Sequence, residues 1–249
     1  MSITKKQALA LIGENANADI KKALSNQGLD VIILPADNRL APQVSSHADM
    51  LLFVLDNTVF CNEAYYKNHQ LIFDKIKEYG YQINSSEFNI SSKYPNDVAL
   101  NQAVIAKNIF GLGKSCAKSI LDCANKQGYA YHSIKQGYAK CSTLILGDKG
   151  IISADSTIIN TAKKLGISTL KIENSPEEIV LNGYDYGFIG GASAVYEKTV
   201  FFFGNIMLHS QGREIVKFCR DNGFETVSLS QTRLCDIGGA IILPYINAK

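Results

Sequence analysis

The stretch STLILGDKGIISADSTIINTAKKLGISTLKI, Ser142 to Ile172, lays out one structural unit from end to end. An apolar run reaches a tight turn at Asp148-Lys149 and a second apolar run leaves it, the pattern of a hairpin. Asp155 and Ser156 then offer oxygens of the kind that cap a helix start. Apolar residues follow at helical spacing until Gly166, which suits the left-handed position that stops a helix. A third strand pattern comes next. The unit reads strand a, turn, strand b, helix, strand c.

This unit recurs along the chain. Helical segments end in glycine and restart as a strand at Gly28, Gly80, Gly128, Gly166 and Gly223. Hairpin turns stand at Asp56-Asn57, Ala106-Lys107, Asp148-Lys149 and Glu197-Lys198. Pro35, Pro42, Pro95 and Pro176 fall in the links between units, where no ladder needs the missing N–H. The chain ends on GGAIILPYINAK, a strand a with no strand b after it. It starts with QALALIGENANADIKKAL, a strand b and helix with no strand a before it. Pairing the ends supplies a fifth unit and removes the exposed sheet edges of an open array. The expected fold is α/β: a five-unit pseudo-symmetric propeller, one domain over residues 1–249, its ring closed by the N- and C-terminal strands. An open Rossmann-type sheet is the runner-up. The hairpin in each unit and the lack of G-x-G-x-x-G after a strand weigh against it. GLGKS, residues 111–115, lacks the glycine spacing of a phosphate loop and reads as a helix start.

The 249 residues carry a net charge of +2, with 46% hydrophobic and 19% charged residues. That balance is ordinary for a globular protein and offers no basic surface to nucleic acid or anionic membrane. No apolar run is long enough to span a bilayer, and MSITKKQALALIG is too brief for a secretory leader. A cytoplasmic protein without disulfides is expected. Cys61, Cys116, Cys123, Cys141, Cys219 and Cys235 show no C-x-x-C spacing, and the four histidines are scattered. Spacing therefore supports no zinc site, and no metal or cofactor is expected. Cys116, Cys123 and Cys219 fall in helical segments, as small buried apolar residues do.

Aligning the repeats on Asn57, Lys107, Lys149 and Lys198 puts the candidate residues in register. His47, Asp97, Ala139, Phe188 and Asp236 share one position; Asp49, Ala99, Cys141, Gly190 and Gly238 share the next but one. Residues two apart in a strand share a face. His47, Asp49, Asp97, Cys141 and Asp236 are therefore expected to converge on the axis. Cys235 has the opposite parity and ranks below Cys141. Lys140 would lower the Cys141 pKa if it turned inward, although alternation points it outward. Gly190, Gly191, Gly238 and Gly239 would leave room for a ligand, with Tyr138 and Tyr184 as its walls. Glu14, Glu63, Asp155, Asn205 and His209, at the exits of strand b, read mostly as helix-start residues. The plainer readings are a buried strand cysteine for Cys141 and a backbone-satisfied polar pair for His47 and Asp49.

Three strings, HADMLLFVLDN from His47, FIGGASAV from Phe188 and LCDIGGAIIL from Leu234, resemble the His-x-Asp and Gly-Gly strands of the pentein superfamily. That superfamily includes arginine and agmatine deiminases, dimethylarginine hydrolases and amidinotransferases, together with a ribosome-binding initiation factor. In the enzymes a cysteine follows the last Gly-Gly. Here Ala240, Ile241, Ile242 and Leu243 follow it, and His-x-Asp sits in the first unit rather than just before the cysteine unit. The chain is similar to an uncharacterised bacterial branch of amidinotransferase-like proteins. The resemblance implies a cysteine-dependent hydrolase or transferase for a small guanidine- or amidine-like compound. Cys141 would attack the central carbon, His47 would move the proton and Asp49 would hold the imidazole. Asp49, Asp97 and Asp236 would hold the cation, with Lys140 and the four glycines beside it. The alternative is a non-catalytic ring that binds a small metabolite or a protein partner. Neither nucleic acid nor membrane is an expected partner, and a homo-oligomer is left open.

Overall fold

The chain, seen in a computed structural model, is described over residues 8–246. The start of the segment read as too short for a leader, residues 1–7, lies outside the described residues, as do 247–249.

The repeat expected from the sequence is present. Unit one runs Leu52–Leu55, Thr58–Asn62, two helices Glu63–Asn68 and Gln70–Glu78, then Gln82–Ser86. Unit two is Ala103–Ile105, Asn108–Gly111, helix Lys118–Lys126 and Ala130–Ser133. Unit three is Thr143–Leu146, Gly150–Ser153, helix Ser156–Lys164 and Ser168–Lys171. Unit four is Ser193–Tyr196, Thr199–Phe202, helix Gly212–Asp221 and Glu225–Ser228. In each, strand b lies antiparallel to strand a and parallel to strand c. Unit five takes strand a from one end of the chain and the rest from the other. Ile241–Pro244 pairs antiparallel with Ala8–Gly13, Leu243 opposite Leu9, and Ala8–Gly13 pairs parallel with Asp30–Leu34 across helix Ala18–Asn26. A short parallel pair, Ile179–Val180 with Leu234–Cys235, joins two links.

Local chemistry explains these elements. Asn17, Asn62 and Asp155 cap helix starts with side-chain oxygens. Gly28, Gly80, Gly128, Gly166 and Gly223 all lie just beyond a helix end at φ between +73° and +92°, where a side chain would be strained. Asp56, Ala106 and Glu197 open two-residue hairpin turns at φ near +50°, matching the twist of the paired strands. Unit three differs from expectation. Its turn holds three residues, because Gly147 at φ +58° precedes Asp148-Lys149 and Leu146 pairs with Gly150. An alignment on Lys149 is therefore one residue out of step for everything upstream in that unit.

Apolar burial lies mainly between units. Phe53 and Phe60 of unit one meet Ile109 and Ile120 of unit two. Phe110 meets Ile151 and Ile158, and Leu144 and Ile152 meet Phe202 and Ile215. Phe201 and Phe203 meet Ile20 and Leu24, while Leu9 and Leu11 meet Val59, Phe73 and Ile76 of unit one. No sheet buries its hydrophobic face alone, which is why the repeat must be arrayed to be stable. Among the described residues no helix is long and apolar enough to cross a membrane.

Candidate functional site

The site is decided just before strand a, where the backbone of units one, three and four makes a helical turn rather than extended chain. His47 precedes the short helix Ala48–Leu51, and the Leu51 N–H donates to the His47 carbonyl. The Ser142 N–H donates to the Tyr138 carbonyl and the Ala192 N–H to that of Phe188, the same four-residue step. A helical residue advances about 100° around its axis. Residues three apart therefore share a side, and residues two apart face away from each other. His47 and Met50, like Tyr138 and Cys141, open onto one cavity of about 210 Å3, with Asp236, Phe188, Leu181, Tyr184, Asp185 and Tyr186. Asp49 and Lys140 open onto a second cavity of about 240 Å3 walled by Leu52, Phe53, Leu144, Ala194 and Ile241. This corrects the expectation that His47 and Asp49 share a strand face: alternation begins only at Leu52.

In the first cavity His47, Cys141 and Asp236 come together from units one, three and five. Their nearest donor atoms all lie within 4.8 Å of one another. His47 Nδ1 is 3.8 Å from Asp236 Oδ1, and Cys141 Sγ is 4.0 Å from both Asp236 oxygens. The Asp236 carboxylate is fixed from behind by the Phe188 and Gly238 N–H groups, each at 2.9 Å. Both imidazole nitrogens of His47 are buried without a hydrogen-bond partner. Asp49 thus does not hold the ring, contrary to expectation; Asp236 is its polar neighbour.

A circuit of hydrogen bonds runs beneath these side chains. The Asp49 N–H donates to the Gly238 carbonyl, the Gly239 N–H to Gly191 and the Gly191 N–H to Cys141. The Cys141 N–H donates to Asn101 Oδ1 at 3.1 Å, and Asn101 Nδ2 returns to the Asp49 carbonyl at 3.3 Å. Each unit is thereby tied to the next. Asn101, buried outright, was not singled out from sequence because an amide neither titrates nor attacks. Its one signal is the Asn101-Gln102 pair set in an otherwise apolar run.

Burial dominates the electrostatics. It holds the His47 imidazole below its ordinary range, with Asp236 pulling upward, so the ring is neutral. Asp49 is pushed up to about 7, first by burial, with Lys140 opposing and Asp236 adding to the rise. Desolvation, rather than repulsion between carboxylates, is the main cause of the rise. The Cys141 thiol is raised well above its ordinary value by burial and then by Asp236 and Asp49, and the Lys140 charge only partly offsets this. Lys140 lies close enough to lower the thiol but does not overcome burial and the two carboxylates, so the resting state is the thiol.

The remaining candidates divide. Asp97 stands behind the cavity wall and accepts from the Tyr138 hydroxyl. Tyr138 stacks towards Phe188, and Tyr186 meets Phe188 edge-on, so the walls are aromatic. Tyr184 also lines the cavity, as expected, while Tyr186 and Asp185 were missed. The glycines do not leave ligand space. A Cβ on Gly191 would sit 1.9 Å from Asp236 Oδ1, and one on Gly238 would sit 2.2 Å from the His47 Cβ. Gly190 is pressed against the Lys140 and Thr143 carbonyls, and Gly239 takes φ +71°. These four make room for the site's own residues. Cys235 lies in the short Leu234–Cys235 strand, its thiol directed at the Asp236 carbonyl.

No curated protein matches the chain in sequence. Solved structures do match in fold. DDAH from Pseudomonas aeruginosa complexed with citrulline superposes with a TM-score of 0.56 at 10% identity, over 95% of this chain and 98% of that one. An amidinotransferase from Microseira wollei in the saxitoxin biosynthetic pathway gives 0.59 at 12%, over 94% and 81%. The N-terminal domain of ArgZ, a cyanobacterial arginine dihydrolase, gives 0.56 at 13%, over 94% and 95%. The fold is the mixed α/β fold of the pentein superfamily. Residues 11–241 match the family of unknown function DUF6873, and the chain belongs to that family.

Proposed function

We propose that the cavity holding His47, Cys141 and Asp236 binds a small guanidine- or amidine-like cation and that Cys141 attacks its central carbon. The observation that carries this is the meeting of a neutral imidazole, a thiol and a backbone-anchored carboxylate at an aromatic-walled cavity. Aromatic faces and the Asp185 and Asp236 carboxylates favour a flat cation. A bound cation also counters the negative neighbours that keep the thiol protonated. Cys141 then passes its proton to His47 while its sulfur bonds to the central carbon. One nitrogen leaves with the proton from His47, and the sulfur-linked amidine is released by water or by an acceptor amine. The fold-level neighbours, which are guanidino hydrolases and amidinotransferases, agree with this class.

We read the five sheets as one closed ring around an axis and the chain as a single pentein-like domain. The paired chain ends and the unit-to-unit hydrogen bonds support that reading. The six free cysteines suit a reducing, cytoplasmic setting. The near-neutral charge argues for a small-molecule ligand rather than nucleic acid or membrane, with self-association left to measurement. A second reading, binding without turnover, is favoured by one observation: the buried thiol between two carboxylates.

The test is a thermal-shift screen of arginine, agmatine, creatine-like and methylated guanidines, followed by assay of released amine. Binding with release that Cys141→Ser abolishes supports the enzyme. Binding without release supports the second reading. No shift with any guanidine defeats both.

A further inference from the structure

We infer that His47, Cys141 and Asp236 together form a three-ligand site for a zinc-type divalent cation, with the fourth position open to the cavity. The inference uses the same side chains as the proposed function but none of its guanidine chemistry. Sequence spacing gave no hint of it, because the ligands come from units one, three and five. Two independent observations carry it. First, a nitrogen, a sulfur and a carboxylate oxygen lie within 4.8 Å of one another. In a tetrahedral zinc site, ligand atoms stand roughly 3.4–3.6 Å apart given bonds of about 2.0–2.3 Å. The separations of 3.8 and 4.0 Å to Asp236 need a contraction of tenths of an ångström, and the His47–Cys141 separation, within 4.8 Å, needs one of up to about 1 Å. Second, both His47 nitrogens are buried with no partner. Buried polar atoms are nearly always satisfied, and an orphaned pair points to a missing ion or ligand.

The donor set selects the ion. Thiolate and imidazole with one carboxylate suit zinc or cobalt and are too soft for magnesium or calcium. Two of the three ligands have a supporting shell: Asp236 is held by the Phe188 and Gly238 amides and the Cys141 backbone by Asn101, while the His47 nitrogen that does not take the ion has no partner. Binding replaces the thiol proton by the metal, so each ion bound as a dication releases one proton to solvent.

Cobalt(II), added to the reduced full-length chain without any guanidine, is the probe. One cobalt per chain, a thiolate-to-cobalt charge-transfer absorption and release of about one proton are expected. Cys141→Ser should lose the absorption, His47→Ala should bind at least tenfold more weakly, and Cys235→Ser should change nothing. On the unmodified chain, the imidazole resonances shifted by cobalt should be those of one histidine of the four, lost in His47→Ala. This holds even if Cys141→Ser misfolds. Absence of the absorption, its survival in a folded Cys141→Ser, or a loss under tenfold in His47→Ala overturns the site. Cobalt binding without any guanidine shift would sink only the proposed function. A guanidine shift without cobalt binding would sink only this inference.

Discussion

His47 and Asp49 lie two residues apart yet open onto different cavities, His47 beside Cys141 and Asp236 and Asp49 beside Lys140. Asp49 is therefore a buried acid on the far side of the site. Its carboxyl ionises near 7 in the folded chain against 3.8 ordinarily, so the folded state holds the extra proton between those values. Stability should fall as pH rises through that window. Asp49→Asn should flatten the slope and stabilise the protein at pH 8 by roughly 2–4 kcal/mol. Urea unfolding at pH 5 and pH 8 checks this. Equal destabilisation at both would mean that the carboxylate is needed as an anion.

Thiol chemistry at Cys141 should be slow. With the thiol pushed up by burial, Asp236 and Asp49, alkylation at neutral pH should run at least tenfold slower than for an exposed cysteine. Lys140→Ala should slow it further, and Asp236→Asn should speed it. Mass-spectrometric rates at Cys141 decide; acceleration in Lys140→Ala would contradict the assigned charges.

Gly191→Ala should be costly for a different reason from Gly128→Ala. The new methyl would collide with Asp236, costing about 2–3 kcal/mol and cation affinity with it. At Gly128 nothing lies within 4 Å, and only the φ of +73° is strained, a loss of roughly 1 kcal/mol. Equal losses for the two variants, read from denaturant midpoints, would show that Asp236 yields freely.

Deleting residues 1–12 should destabilise the whole chain rather than fray one end. Leu9 and Leu11 are fully buried, and Leu9 pairs with Leu243. A truncated chain melting as the full one does would mean that this sheet contributes little.

The repeat was legible because its signals are local. A glycine beyond a helix, a hairpin turn and a capping oxygen each act within a few residues. The site was less so. Cys141 was reached through two displacements that cancel: the extra Gly147 shifted the alignment by one, and strand parity was applied to a helical turn. The true step runs from Tyr138 by three residues; the expected one ran from Ala139 by two. Lys140, next door, shows the cost, since it serves the other cavity. The glycines misled for a long-range reason. What fills the space above Gly191 is Asp236, and only the folded chain shows that.

The pairing of Ala8–Gly13 with Ile241–Pro244 sets an order of events during synthesis. The strand Ala8–Gly13, carrying Leu9 and Leu11, leaves the ribosome long before its partner Ile241–Pro244 is translated. Until then Ala8–Gly13 has one ladder neighbour, and its other edge is open to any extended segment, including that of another nascent chain. Asp236 also arrives late, so the three-residue cluster cannot assemble on an unfinished chain. A stalled or truncated product would therefore lack both the cluster and the protection of its first strand, which makes it a natural target for chaperones and proteases.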